Sequence, residues 1–165
     1  MTILLAMTYP KDTGELSAVL HPSADHESVT YPNGTTTRFV ATTSATGGRF
    51  GLFEWNMSGD TGGRGSGHFH KTFSESFYIM SGEVMLFDGK DWVRTTQGDF
   101  LHVPEGGVHS FTNESGEPAS MLIMFTPGPA REEYFRELAE IRSSGRELDE
   151  DEWTELYARH DQYRA

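Results

Sequence analysis

The sequence predicts an all-β fold finished by helices at its C-terminal end, and three observations carry that reading. From Thr35 onward, short runs of β-branched and aromatic residues recur, the composition of half-buried strands. Glycine-containing pairs separate them at the spacing of hairpin turns in a sandwich or barrel. After Thr126-Pro127-Gly128-Pro129 the apolar period changes from that of a strand to that of a helix.

The segment up to about Asn33 mixes Pro, His, Asp and Ser without sustained periodicity, and it reads as an arm or loop with one short strand at Leu16 to Leu20. Strands are then expected at Thr36 to Thr43, Phe50 to Met57, Phe77 to Met80, Glu83 to Phe87, Trp92 to Thr95, Phe100 to Val103, His109 to Thr112 and Ala119 to Phe125. Turn signals lie between them at Gly47-Gly48, Gly59 to Gly67, Ser81-Gly82, Asp88-Gly89, Gly98-Asp99, Gly106-Gly107 and Ser115-Gly116. Tyr134, Phe135, Leu138 and Ile141 then fall at helical spacing, so a helix is expected from about Ala130 to Ser143. A second, from Asp149 to about Tyr163, begins with acids at the positive end of its dipole and has Arg159, His160 and Arg164 toward the other. The division that follows is an arm over 1–34, a barrel over 35–128 and a helical segment over 129–165.

Composition limits the chemistry. The chain has 165 residues, enough for one domain with its own core. Its formal charge of -12, from 25 acidic and 13 basic residues, repels phosphate backbones and anionic membranes, so neither nucleic acid nor a membrane is an expected partner. The start, Met1 to Met7, lacks a cationic region and is too short in its apolar run for a signal peptide or a span, which reads as cytoplasmic. There is no cysteine, so any metal must be held by nitrogen and oxygen.

One constellation carries chemistry. Residues two apart on a strand share a face, so His68 and His70 project together. Glu75 lies five residues past His70, a distance that suits a turn bringing the next strand's first side chain inward. His109 begins a later strand just past a Pro/Gly turn. Three imidazoles and one carboxylate suit a divalent ion such as Fe, Mn, Ni, Co, Cu or Zn, with positions left for water or substrate.

These residues resemble the cupin superfamily. Gly62, His68, His70, Glu75 and Gly82 fill the pattern G-x5-H-x-H-x4-E-x6-G, while Gly98, Pro104, Gly106, His109 and Asn113 fill G-x5-P-x-G-x2-H-x3-N. Every defining position is occupied, and a looser likeness runs from about Thr35 to Phe125. The resemblance implies a double-stranded β-helix, the jelly-roll barrel, with His68, His70, Glu75 and His109 as ligands of one divalent metal ion. The tail Leu122 to Pro127 and the following Glu132 to Leu138 are similar to single-domain bacterial cupins of the quercetin 2,3-dioxygenase-like kind. That likeness implies a flavonol or other enolic small molecule cleaved by dioxygen, and a homodimer. Glu75 would alternate between metal ligand and base for a substrate hydroxyl, since burial raises a carboxylate's pKa.

Two other functions suit the same fold. One is isomerase, epimerase or lyase chemistry, with the ion as a Lewis acid alone. The other is a non-catalytic cupin that binds a metabolite. Phe69, Phe77, Ile79, Met85, Phe100, Leu122 and Met124 are read as packing or cavity wall, with Trp55, Tyr78 and His102 as polar-tipped aromatics and Arg64 as a loop charge at the mouth. His21, His26 and His160 lie outside both motifs and are given no role.

Overall fold

The protein, described here from a computed structural model, is characterised over residues 9–59 and 62–165. The reading of Met1 to Met7 and the Asp60-Thr61 part of the glycine-rich turn lie outside the described residues. Strands β1 (Ser28–Thr30), β2 (Thr36–Ala41) and β3 (Gly51–Met57) come first. β4 (His68–Phe69), β5 (Ser74–Ser81), β6 (Glu83–Phe87), β7 (Trp92–Thr96), β8 (Phe100–Val103), β9 (Ser110–Thr112) and β10 (Ala119–Thr126) complete the β region. Helices α1 (Arg131–Ser144) and α2 (Glu150–Arg159) follow, then a short β11 (Tyr163–Arg164). A six-stranded sheet has the order β1-β2-β3-β10-β5-β8, a three-stranded sheet β7-β6-β9, and β11 pairs with β4. The arrangement is an all-β jelly roll with C-terminal helices.

Alternation along the strands places the core. In β3, Gly51, Phe53, Trp55 and Met57 are buried while Leu52, Glu54 and Asn56 are not, the period of two expected of a sheet with one face inward. Phe77, Ile79, Met121, Ile123 and Phe125 continue that inner face, and Val84 and Leu86 come from the smaller sheet. The partners of opposite phase, Tyr78, Phe100 and Met124, are exposed on the outer face. Of the wall residues read from sequence, Phe77 and Ile79 are therefore core, while Phe100 and Met124 face outward.

Gly82 shows why the first motif ends on glycine. Its φ is +72°, and a Cβ there would stand 2.5 Å from the Pro118 carbonyl oxygen and 2.8 Å from Ala119 Cα. Both the backbone angle and the close strand approach require a residue without a side chain.

Three expectations are corrected. Leu16 to Leu20 forms no strand; Leu16, Val19 and Leu20 are exposed, and among the described residues no neighbouring strand takes up their backbone groups. Residues 28–30, within the stretch read as an arm, pair with β2 instead. The second helix stops at Arg159 rather than Tyr163. Asp161 takes a left-handed φ of 51°, and Tyr163 and Arg164 then hydrogen-bond along β4 opposite Phe69 and His68. The start of that helix is sharply defined, since Asp149 and Glu152 form a reciprocal capping box.

Candidate metal centre

Local pairing brings the four sequence-predicted ligands together. His68 and His109 face each other across an antiparallel bridge, with both N–H···O distances 2.9 Å. His70 follows β4 directly, and its carbonyl accepts from Gly106 N–H at 2.7 Å, tying it to the Pro/Gly turn before His109. Glu75 is the second residue of β5, between Val103 of β8 and Phe125 of β10. Glu75 is thus among the first residues of the next strand, as read from the sequence, and β5 begins at Ser74, three residues before the aromatic run at Phe77. One ligand-type atom from each of His68, His70, Glu75 and His109 lies within 4.8 Å of the others. His70, Glu75 and His109 are buried.

The hydrogen bonds define which ring nitrogens point inward. His70 Nδ1 lies 2.6 Å from the Asp161 carbonyl oxygen, and His109 Nδ1 lies 2.9 Å from that of Gly107. A carbonyl only accepts, so both Nδ1 atoms donate. Their Nε2 atoms then face Glu75 Oε2, at 2.9 Å from His70 and 2.8 Å from His109. In neutral rings these would be lone pairs directed at a carboxylate, an arrangement that requires a positive charge between them, either a proton or a cation. The donor set therefore fits a divalent ion on chemical grounds. Phe73 stacks on the His70 ring at 4.3 Å and fixes its plane.

The electrostatics agree. Burial alone would raise the Glu75 pKa, as expected from the sequence, but the charge and hydrogen bonds of His109 and His70 hold it well below the usual range instead. Burial likewise opposes charge on His109, yet the adjacent Glu75 carboxylate raises its pKa. Burial, aided by His109, pushes His68 down to about 3, so its imidazole stays neutral with a lone pair available.

The cluster borders a cavity of about 240 Å³. Trp55, Phe111, Ile123 and Phe125 line its barrel side, and Arg131, Tyr134, Phe135 and Leu138 of α1 line the other. Trp55 is thus a wall residue, whereas Tyr78 is exposed outside and His102 bonds Ser76 Oγ at 2.9 Å, away from this cavity. Arg64 is engaged by Glu114 through contacts of 2.8 and 3.0 Å.

Two residues here escaped sequence reasoning. Asp161 was read as helix, and its carboxylate instead accepts from Lys71 N–H, Thr72 N–H and Thr72 Oγ–H while its carbonyl holds His70. No local signal marks it. Arg131 did carry one, as a cation in the first turn of a helix, where the dipole disfavours it.

An inward-facing group of three imidazoles and a carboxylate inside a jelly-roll barrel defines a barrel protein built around a small polar centre. Residues 57–125 match the cupin domain family, and both sequence motifs lie within that stretch. Over 103 residues it is 32% identical to a quercetin 2,3-dioxygenase of Bacillus subtilis, covering 62% of this chain but only 29% of that protein. Among solved structures, KdgF from Halomonas superposes with a TM-score of 0.57 at 18% identity, over 68% of this chain and 96% of that one. A cupin-superfamily sugar phosphate isomerase from Silicibacter pomeroyi gives 0.51 at 21% identity, over 62% and 72%. At these identities the structural neighbours establish the fold alone. No helix among the described residues is long and apolar enough to cross a membrane.

Proposed function

We propose that His68, His70, Glu75 and His109 hold one divalent metal ion, and that the protein is a metal-dependent dioxygenase acting on a small enolic or flavonol-like molecule. The convergence of four ligand-type atoms within 4.8 Å, with two Nε2 atoms directed at one carboxylate oxygen, carries the metal assignment. The likeness to a quercetin 2,3-dioxygenase supports the reaction class.

A redox-active ion bound there supplies Lewis acidity toward an enolate oxygen and a route for electrons between substrate and dioxygen. The chain does the rest. The Asp161 and Gly107 carbonyls fix the tautomers of His70 and His109, leaving Nε2 of each directed inward. Glu75 is the only carboxylate among the cavity-lining residues described. By position it is the group to accept the substrate's hydroxyl proton, at Oε1, the oxygen that neither of these two imidazoles engages, as a base weakened rather than strengthened by its imidazole neighbours. Aromatic walls from β3, β9, β10 and α1 exclude water from the reacting face. At about 240 Å³ the cavity falls below the roughly 300–1,000 Å³ of drug-sized ligand sites, which favours one small ring over an extended polyphenol. The homodimer reading, implied by the resemblance, is supported by the exposed outer-face residues Tyr78, Phe100 and Met124.

Oxygen uptake tests the reaction. Protein reconstituted in turn with Fe, Mn, Ni, Co, Cu and Zn is expected to consume oxygen with an enolic or flavonol substrate when the ion is redox-active, and not with Zn. Turnover in the absence of oxygen, or equally with Zn, would replace this reading with Lewis-acid isomerase or lyase chemistry. Tight binding without turnover would make the protein a metabolite binder.

The tail supports the centre from outside it. Asp161→Ala removes the acceptor that pins Lys71 and Thr72 beside His70, and metal affinity is expected to fall about 10–100-fold, as for other outer-shell partners. Asp161→Asn keeps an acceptor and tolerates positive φ, so its affinity should stay near that of the wild type. Competition against a chelator reads both; an Asp161→Ala protein that binds metal as tightly as the wild type would remove the tail from the site.

A further inference from the structure

Arg131 is out of place by ordinary criteria. It opens α1, where the helix dipole already presents positive charge, and its side chain is buried with 4% exposure. Nη1 donates to the His160 carbonyl at 3.0 Å and Nη2 to Gln162 Oε1 at 2.5 Å. Nε is buried and has no hydrogen-bond partner. Among the described residues no carboxylate lies within 4.0 Å of the guanidinium. The flanking groups are π faces, with Tyr134 at 3.9 Å and Phe125 at 5.4 Å. A buried cation whose direct hydrogen bonds all go to neutral oxygens is costly; the carboxylates of Glu75 and Asp161 act on it only from beyond contact distance, and it lines the same cavity as His68 and Glu75.

We propose that Arg131 anchors an anionic group of the substrate, so that the cavity takes the anion of a small aromatic or enolic carboxylic acid. The carboxylate sits on the guanidinium, whose planar fork matches it, and the ring lies against Trp55 and Phe135. A divalent ion on the neighbouring cluster adds positive charge to the same cavity, which an anionic occupant complements. The exposed Arg142 also lines the cavity and draws anions toward it. The inference rests on the reading of this cavity as the substrate site, and it is independent of which reaction follows.

Benzoate and its neutral counterpart benzamide are the probes, titrated calorimetrically without oxygen into the zinc-loaded and the metal-free protein. Benzoate is expected to bind about 10–100-fold more tightly than benzamide, the worth of one or two charge-assisted hydrogen bonds. Arg131→Gln should abolish the difference while benzamide binding stays. Equal binding of the two probes by the wild type, or a preference that survives Arg131→Gln, would overturn the proposal, the latter because the carboxylate would then be held elsewhere. A measurement on the wild type covers the case in which the variant does not fold. The Arg131 Nε–H resonance of ¹⁵N-labelled protein should shift with benzoate and not with benzamide, and an unmoved resonance would also overturn it. Because nothing is turned over, failure of the dioxygenase reading shows in oxygen uptake and failure of the anchor shows here.

Discussion

Replacement of His109 by alanine is expected to remove the bound metal. The ring supplies one of four converging ligand-type atoms and sits 2.8 Å from the carboxylate that closes the cluster. Its loss should exceed the roughly 10–100-fold that a change one shell further out costs, leaving purified protein essentially metal-free by elemental analysis. The pH dependence adds a second readout. A ligand must shed its proton to bind metal, and the pKa of His109 is raised in the metal-free protein. Wild-type affinity should therefore climb about tenfold per pH unit below that raised value and level off above it. Without metal, His109 stabilises the fold while charged; that contribution is full below its ordinary value and is lost as pH rises through the raised one. Glu75, whose pKa is lowered, contributes above its ordinary value and loses that contribution on acidification. Both are charged in mildly acidic solution, so the metal-free variant should be most destabilised there and approach the wild type toward alkaline pH. Metal retained by the variant at wild-type stoichiometry and affinity would eliminate His109 as a ligand.

The largest effect on stability is expected at Phe53. Its ring is fully buried and meets Phe135 at 5.0 Å, Phe39 at 5.5 Å and Phe125 at 5.7 Å, all three contacts edge-on at interplanar angles of 69°, 78° and 66°. It joins the inner face of the large sheet to α1, so truncation opens a cavity that neither rigid element can close. Phe53→Ala should cost about 3–5 kcal/mol, a large share of the roughly 5–15 kcal/mol available to a domain, read as a lower denaturation midpoint in urea. Phe125 and Phe135 also line the cavity beside the cluster, so the same change should loosen benzoate binding there. A loss under about 1 kcal/mol would mean that the packing between helix and sheet contributes little.

Strand alternation made much of the barrel legible. The runs at Phe50 to Met57 and Ala119 to Phe125 became β3 and β10 with little change, because one buried face imposes a period of two. The motif positions were legible too, since Gly82 answers a steric demand that only glycine meets. What was not legible depends on partners remote in sequence. β4 is two residues long, and its strand character comes from β11 and from the bridge to His109 rather than from its own composition. Leu16 to Leu20 has strand-forming residues but pairs with no strand among the described residues, and it stays irregular and exposed.

The sequence by itself determined the all-β class and the two C-terminal helices, and it singled out His68, His70, Glu75 and His109, whose ligand-type atoms converge in the fold, because periodicity, turn chemistry and motif spacing are local. Only the tertiary structure decided that the chain's last residues return to hold His70, that imidazoles outweigh burial at Glu75, and that Arg131 enters the same cavity. Each of these is an encounter between groups far apart along the chain, and their pKa values and hydrogen bonds are set by the environment that folding assembles.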